Sequence, residues 1–390
     1  MKVGIIGCGI SGLYAAYHLQ SKGYDCVIFE ESAFGGGRFD HAIKILNKEF
    51  YPRFYDLIEK LNLEESLVPF GGIGVLTPEG VVDFPGFKAS YDKFSPEDKK
   101  IYDEMEKEAL AGGFDPFHPE ERMLQLRNVS VEDHIKDCSE HFKESVIFPL
   151  ISLTFMSPLD PSRISAEYLF FKFRLVSEFL KPEVEMFSKD EGLKVVTSVL
   201  ERRLMEKGGE VSLFSTVKGV KEEEGKKVIS FWKAGSEKKE EVDAVIFTTP
   251  LNRLREMDVD IDTGEGINYY ETKYYSVKGE PITEKSTVLS ETGNIKVFYD
   301  VYEEEQQIFP HDPEKETDFS LLYKENPVVI DETRVKSPFT VMAPGTRAPN
   351  IRQRKGVYIC GDFYYYPYIE NSLLTTEKAI EFLREDHEKE

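Results

Sequence analysis

A glycine-rich turn between a strand and a helix constrains the fold of this chain more than any other part of its sequence. Residues 3–6 form a short apolar run, residues 7–12 follow with the pattern G-x-G-x-x-G, and residues 13–22 have helical spacing with small side chains near their start. Residues 24–30 then read as a second apolar strand that ends on an acid. This order predicts a β-α-β unit, and such units build parallel sheets.

The glycine pattern predicts a site for the phosphates of a dinucleotide. Gly7 permits the tight turn, Gly9 lets the backbone approach a pyrophosphate, and Gly12 lets the helix pack closely on the strand. Ile10 and Ser11 lie in the same turn, and the amino end of the helix that follows offers free amides and a positive dipole to the phosphates. We therefore expect these five residues to contact the cofactor.

Two acidic residues and a second glycine motif extend this site. Glu30 lies 18 residues beyond Gly12, where its carboxylate can accept hydrogen bonds from the adenosine ribose and disfavours a 2′-phosphate. We expect Glu31 beside it to contribute. The run that ends in Gly36-Gly37-Arg38 can fold over the pyrophosphate, with Arg38 supplying a planar charged fork. An NAD-binding domain has no need of such a clamp, so the motif favours FAD.

With these motifs the chain resembles the flavin amine oxidase superfamily, which includes monoamine and polyamine oxidases, protoporphyrinogen oxidases and phytoene desaturase-like enzymes. The family carries a G-G-R motif near its start, matched by residues 36–38. Near the C-terminus it carries a strand followed by Gly-Asp or Gly-Glu, matched by Gly361 and Asp362. Residues 368–373, Y-I-E-N-S-L, are similar to the Y-M-E-G-A-V segment of the oxidases.

The resemblance implies further cofactor contacts. Asp362 would bond a ribityl or phosphate-side hydroxyl, and a strand near Val217 would meet the adenine. Backbone amides at a helix start would stabilise negative charge on the reduced flavin ring; these amides belong to Glu370, Asn371, Ser372 and Leu373.

Catalytic residues are predicted less directly. Lys273 falls in a strand where some amine oxidases have a lysine near the flavin N5, and a solvated surface lysine is the alternative. Tyr368 matches the tyrosine of the C-terminal motif. Asn371 stands where many relatives have glycine, and the sequence places no second aromatic for the paired tyrosines of amine oxidases.

We expect an α/β fold: a Rossmann-like FAD-binding domain, built from a parallel sheet and a β-meander, with an inserted α+β substrate domain. The FAD-binding domain is predicted over residues 1–75, 190–257 and 335–390, and the substrate domain over residues 76–189 and 258–334. Three strands, at 210–220, 227–233 and 242–248, form the predicted meander. Lys/Glu-rich stretches at 221–227 and 237–241 are typical of solvated turns.

Composition limits the partners. A net charge of −22, from 49 basic and 71 acidic side chains, repels a nucleic-acid backbone. No apolar run approaches the roughly 18–20 residues that span a bilayer. Four dispersed cysteines without a C-x-x-C pair fit a reducing cytoplasm, and the seven histidines form no metal-spaced cluster. We expect a cytoplasmic protein without a metal that acts on a small, apolar molecule.

The predicted activity is hydride transfer from a C–H bond of an apolar or bulky substrate, of amine, porphyrinogen or isoprenoid type, to N5 of FAD. Two alternatives stay open. A non-redox flavin enzyme, such as a nucleotide-sugar mutase, could use the same cofactor site with basic residues lining it. A flavin-bound protein could instead carry a lipid or a protein partner in an apolar groove without turnover.

Overall fold

The computed structural model describes residues 1–41, 45–77, 79–111, 114–155, 160–188, 192–290, 295–300, 305–310, 312 and 314–387. Its strands are β1 (Lys2–Ile6), β2 (Asp25–Phe29), β3 (Ile45–Leu46), β4 (Leu67–Pro69), β5 (Ile73–Thr77), β6 (Gly80–Asp83), β7 (Glu185–Phe187), β8 (Glu210–Ser212), β9 (Thr216–Glu223), β10 (Lys226–Lys233), β11 (Ser236–Val242), β12 (Ala244–Phe247), β13 (Glu265–Lys278), β14 (Thr287–Leu289), β15 (Ile295–Asp300), β16 (Gln306–Pro310), β17 (Val328–Arg347), β18 (Arg352–Arg354) and β19 (Val357–Ile359). The helices are α1 (Ile10–Ser21), α2 (Pro52–Leu61), α3 (Pro96–Ala111), α4 (Glu121–Arg127), α5 (Val131–His134), α6 (Glu140–Phe142), α7 (Phe148–Phe155), α8 (Ala166–Phe179), α9 (Lys194–Glu206), α10 (Leu251–Leu254) and α11 (Ile369–His387).

A six-stranded sheet carries the predicted β-α-β unit. Its strand order is β18-β19-β12-β1-β2-β8, and every neighbouring pair is parallel except β18 with β19. Val3 and Ile5 on β1 and Ile28 on β2 are fully buried, because parallel strands are covered on both faces and read as continuous apolar runs. The predicted Rossmann-like sheet is confirmed.

The meander differs from the prediction in its strands. It consists of β9, β10 and β11, whereas β8 and β12 belong to the six-stranded sheet. The prediction of a solvated turn at residues 237–241 is wrong, since these residues lie in β11 and pair with β10. Their charged side chains stay mostly exposed, and charges on such an edge strand keep it from pairing with other chains.

A seven-stranded sheet, in the order β17-β13-β16-β15-β14-β5-β6, forms the second layer. Helix α8 packs against α3, α4, α5, α7 and β17 beside it. Ser130 is the N-cap of α5, and its hydroxyl accepts a hydrogen bond of 3.0 Å from the amide of Asp133. The predicted domain boundary at residue 335 falls within β17, and that at 75 falls within β5; the division into domains stays a prediction.

Helix packing brings the two ends of the chain together. Helix α1 lies against α9 and α11, and α11 also contacts α2 and β19. Tyr14 on α1 donates a 2.8 Å hydrogen bond to Glu377 on α11. The glycine turn near the start of the chain therefore lies close to the C-terminal segment.

Candidate cofactor and active site

The first glycine motif leaves an open backbone surface at the start of α1. Gly7 has a φ of +107°, and a Cβ on Gly12 would overlap the carbonyl oxygen of Gly7, so the turn itself requires both glycines. A Cβ on Gly9 would have only the carbonyl oxygen of Gly36, at 3.9 Å, within 4 Å among the described atoms. Gly9 is the N-cap of α1 and Ile10 and Ser11 begin the helix, so this open space suits a pyrophosphate.

The second glycine motif lies directly beside the first. The amide of Gly36 donates to the carbonyl oxygen of Cys8 at 2.8 Å, and Gly36 forms an isolated parallel bridge with Gly9. Gly37 has a φ of +59°, and its Cβ would lie 3.4 Å from the Cα of Gly9. The structure thus brings together the two motifs that the sequence analysis assigned to one phosphate site.

An ion pair joins the second motif to the C-terminal motif. Nη2 of Arg38 donates to Oδ1 of Asp362 at 2.8 Å, and the two side chains are 29% and 20% exposed. Burial by itself would lower the pKa of Arg38, but Asp362 and nearby Tyr269 outweigh it and raise that pKa. Arg38 therefore keeps its charge beside the open space. Gly361 precedes Asp362, and its amide donates to Thr375 on α11.

Glu30 lies under the first glycine motif. Its Oε2 accepts from the amide of Cys8 and its Oε1 from the amide of Ser32, both at 2.9 Å. A carboxylate offers about four lone-pair positions, so acceptor capacity remains for ribose hydroxyls. Glu31 is exposed and pairs with Arg253 at 2.6 Å. Val217 on β9 is buried, two residues after Ser215, whose amide donates to the carbonyl oxygen of Glu30.

The side chains at the start of α11 have structural partners that the sequence analysis missed. The carboxylate of Glu370 accepts from the amides of Arg53 and Phe54 and from the guanidinium of Arg53, so it caps α2. Nδ2 of Asn371 donates to the carbonyl oxygens of Tyr364 and Tyr366, at 2.6 and 3.0 Å. These links fix the turn before α11. The amide of Ser372 donates to the carbonyl oxygen of Tyr368 at 3.2 Å, so the predicted amide contacts with the cofactor fit Glu370 and Asn371 best, because amides in the first turn of a helix have no partner within it. Ser372 and Leu373 follow in the same buried turn.

Two buried polar atoms at this site make no hydrogen bond with the described residues. They are Oδ1 of Asn371 and Oγ1 of Thr249. Thr249 follows β12, and a Cβ on Gly7 would lie 3.1 Å from its methyl group. An unpaired buried polar atom costs about 1–3 kcal/mol, so both atoms fit a site completed by a polar ligand. The sequence analysis did not single out Thr249, because a lone threonine after a strand carries no motif.

An aromatic cluster, defined here as Phe50, Tyr51, Phe171, Tyr366 and Tyr368, lies at the start of α11. Ring centroids of Phe50, Tyr51 and Phe171 lie 5.1, 5.8 and 5.2 Å from that of Tyr368. Tyr51 meets Tyr368 edge-on, with an interplanar angle of 64°. Burial raises the pKa of both tyrosines, so their hydroxyls stay protonated. Tyr51 could not be identified from sequence, because the apolar spacing of residues 47–62 is that of an ordinary amphipathic helix.

Lys273 lies in the seven-stranded sheet, on β13. Its side chain is 9% exposed, and its Nζ lies 3.0 Å from Oε1 of Glu332 on β17 and 4.6 Å from the ring centroid of Tyr275. The alternative of a solvated lysine is therefore wrong, because the neighbouring strand supplies a carboxylate that lets the ammonium be buried. A role for Lys273 at the flavin stays a prediction.

A groove of about 290 Å³ lies beside Tyr269. Its lining combines polar and apolar surface from β13 and from α10 with the residue after it: Asn252, Arg255, Ile267, Asn268, Tyr269, Tyr270 and Glu271. The described residues contain no group of three or more side chains suited to hold a metal ion. Among the helices described, none combines the length and apolar character needed to cross a bilayer.

The fold and the paired glycine motifs define a flavin-binding oxidoreductase. The chain belongs to the family of flavin-containing amine oxidoreductases, whose profile matches residues 10–265. The chain is accordingly an FAD-dependent oxidoreductase of the amine oxidase-like group.

Solved structures share the fold over nearly the whole chain. A putrescine oxidase variant with redesigned cofactor binding has a TM-score of 0.73 at 16% identity, covering 98% of this chain and 99% of its own. Cyclohexylamine oxidase from Brevibacterium oxydans has a TM-score of 0.71 at 15% identity, covering 99% of both chains. An oxidoreductase from Methanosarcina mazei has a TM-score of 0.68 at 15% identity, covering 98% of this chain and 100% of its own.

Proposed function

We propose that this protein oxidises an apolar amine by removing hydride from the carbon next to its nitrogen. The aromatic cluster carries this proposal. It contacts the start of α11, where the flavin-ring end of the cofactor is proposed to bind, and it offers ring faces and buried hydroxyls. FAD, when bound, supplies the electron-accepting N5 atom, while the protein orients the substrate and excludes water.

The proposed cofactor site has a role for each motif. The open backbone at Gly9 and the charge of Arg38 hold the pyrophosphate, Glu30 holds the ribose, and Val217 lies near the adenine. Asp362 binds the ribityl side, and the amides of Glu370 and Asn371 in the first turn of α11 would stabilise negative charge on the reduced ring. The unpaired atoms of Thr249 and Asn371 support this placement, since a polar cofactor would satisfy both.

An amine is favoured over a porphyrinogen or an isoprenoid for two reasons. The family is that of amine oxidoreductases, and two neighbours in fold are oxidases of putrescine and cyclohexylamine. The net charge of −22 also raises the local concentration of cationic amines around the protein. Family membership likewise supports oxidation over the mutase and carrier alternatives.

Anaerobic reduction of the bound flavin tests the proposal. Purified holoprotein is mixed with cyclohexylamine, putrescine, protoporphyrinogen or phytoene, and loss of the oxidised flavin absorbance is followed. We expect cyclohexylamine to reduce the flavin fastest, because the second ammonium of putrescine would be desolvated without a partner in the aromatic cluster. Reduction by protoporphyrinogen or phytoene alone would contradict the amine assignment. A nucleotide-sugar that binds, with no reductant found, would favour the mutase alternative.

Tyr368→Ala tests whether the aromatic cluster contacts the substrate. We expect the second-order rate constant of flavin reduction to fall by about 10- to 100-fold, which corresponds to roughly 1–3 kcal/mol of lost contact. Tyr91→Ala is the matched control: Tyr91 is also half-buried among aromatic rings, but it packs on Phe94 and Tyr102. Equal effects of the two substitutions would remove the aromatic cluster from the proposed substrate site.

A further inference from the structure

A buried lysine lies between the aromatic cluster and the proposed cofactor site. Lys172 on α8 is 4% exposed, and its Nζ lies 5.0 Å from the ring centroid of Tyr168 and 5.5 Å from that of Phe171. Phe171 belongs to the aromatic cluster and contacts Tyr368. Lysine is among the residues least often buried, so the burial of Lys172 on this face of α8 needs a physical explanation.

Asp362 is the charged residue whose field acts on Lys172. The same carboxylate pairs with Arg38, and it is the proposed ribityl contact of the FAD. Tyr168 connects this region to β17, since its hydroxyl donates to the carbonyl oxygen of Thr340 at 2.9 Å. The charge of Asp362 therefore couples Lys172 to the proposed cofactor site. The contact with Phe171 places the same lysine against the aromatic cluster.

Several ionisable groups on the elements around α8 contact residues other than Lys172. On α4, Arg127 forms a two-bond ion pair with Glu167 of α8 itself. On α3, Glu108 lies 3.9 Å from Lys107. On α5, His134 packs on the ring of Phe170, and burial lowers its pKa.

On β17, Glu332, Arg334 and Arg347 form ion pairs with residues outside α8. The sequence of α7 contains no ionisable side chain, and Thr340 on β17 is polar but uncharged. Arg174 and Glu178 of α8 pair with each other. Burial and the charge of Asp362 are the two influences on the pKa of Lys172 that the described residues show. Burial lowers the pKa of Lys172 to about 7, although Asp362 acts to raise it.

We propose that Lys172 is a neutral amine in the oxidised protein and takes up a proton when the bound flavin is reduced. A bound flavin that accepts a hydride, equivalent to two electrons and one proton, would carry one negative charge. That charge would raise the proton affinity of the Lys172 amine. A proton from water then binds Nζ and forms the ammonium, so charge balances within the site. This inference rests on the cofactor site proposed above and requires no particular substrate.

Counting the protons taken up during reduction tests the inference. Holoprotein in weak buffer is reduced anaerobically by an electrochemical mediator, and the pH change per flavin is measured between about pH 7 and 9. We expect an uptake of about one proton per flavin where only the flavin ring binds a proton. At a pH where Lys172 also binds a proton on reduction, we expect about two. Lys172→Met, which keeps the apolar stem, is expected to take up about one across the whole range.

Lys227→Met is the matched control, because Lys227 is 5% exposed but lies on β10 and pairs with Glu222. We expect its proton uptake to equal that of the unmodified protein. Lys172→Met with undiminished uptake would overturn the inference. If that variant fails to fold or to retain flavin, uptake of about one proton by the unmodified protein across the range overturns it equally. Failure to bind FAD at all would instead contradict the cofactor site.

Discussion

Nη2 of Arg38 lies 2.8 Å from Oδ1 of Asp362, although 324 residues separate the two in the chain. This contact joins the G-G-R motif to the Gly-Asp motif, so the two ends of the sequence form one site. The pair has a net charge of zero, so the charge of Arg38 is already compensated before the cofactor binds. The same cation is then available to contact a phosphate.

Substitutions in this pair are expected to weaken FAD binding. Arg38→Lys keeps the charge but loses the planar fork, and Asp362→Asn leaves Arg38 without its carboxylate. We expect each to raise the Kd for FAD by about 10- to 100-fold, or roughly 1–3 kcal/mol. The measurement is FAD titration of the apoprotein by flavin fluorescence quenching. Unchanged affinity in both variants would show that the pair lies outside the FAD site.

Gly12 and Gly9 of the first glycine motif are expected to respond differently to substitution by alanine. Gly12→Ala should abolish folding or FAD uptake, because its Cβ would overlap the carbonyl oxygen of Gly7. Gly9→Ala should leave the melting temperature of the apoprotein nearly unchanged, since its Cβ meets open space, but should weaken FAD binding at least 10-fold by occupying the pyrophosphate position. Thermal unfolding with and without FAD separates these outcomes. Normal FAD affinity in Gly9→Ala would contradict the pyrophosphate assignment.

A buried ion pair is expected to hold the turn before α11 in place. Arg127 donates to Glu167 at 2.7 and 2.8 Å, and Tyr366 donates to the same carboxylate at 2.7 Å. Glu167→Gln should lower the free energy of unfolding by about 3–5 kcal/mol, because it leaves the Arg127 charge buried without a full partner. Denaturant unfolding is the measurement. Glu59→Gln, in an exposed pair with Lys48, is the control and should change stability by less than about 1 kcal/mol.

Acid is expected to remove a stabilising contribution from Asp98. Its buried carboxylate accepts from the amides of Ser95 and Ser139 at 2.9 and 2.8 Å. Burial acts to raise its pKa, but the hydrogen bonds from these serines outweigh it and lower that pKa below its usual range. The stabilisation is therefore complete above about pH 4 and is lost as pH falls through the folded-state pKa.

Comparing Asp98→Asn with the unmodified protein measures this contribution. The variant should be less stable by about 1–3 kcal/mol near pH 7, and the difference should shrink as the pH falls below about 4. Asp137→Asn, at an exposed position nearby, should give no such pH-dependent difference. A stability gap for Asp98→Asn that stays constant down to pH 2 would contradict the lowered pKa.

The parts of the fold that sequence could predict are those set by neighbouring residues. The spacing of Gly7, Gly9 and Gly12 is local, so it predicted the turn, the helix and the parallel pairing of β1 with β2. Strand β17 was not predicted as one element, because its 20 residues include charges and two prolines and it is defined by pairing with β13. Strand β11 was likewise not predicted, because its run of charged residues lacks the apolar alternation typical of a strand.

At the site, sequence predicted residue types better than their partners. Arg38 and Asp362 were assigned to one cofactor but not to each other, since nothing local indicates a contact across 324 residues. The capping of α2 by Glu370 was missed for the same reason. Lys172 was missed because a lysine within an aromatic helix reads as an exposed position, and only tertiary packing shows that it is buried.

The distance in sequence between Arg38 and Asp362 sets when the proposed cofactor site can be completed during synthesis of the chain. At about 5–20 residues per second, the ribosome needs roughly 15–65 s to synthesise the chain between them. Throughout that interval the glycine turn exists without β19 and α11, and Glu370 has yet to cap α2. With the cofactor site proposed above, we therefore expect cofactor capture to be a late event of biogenesis and a truncated C-terminus to leave the protein without its flavin.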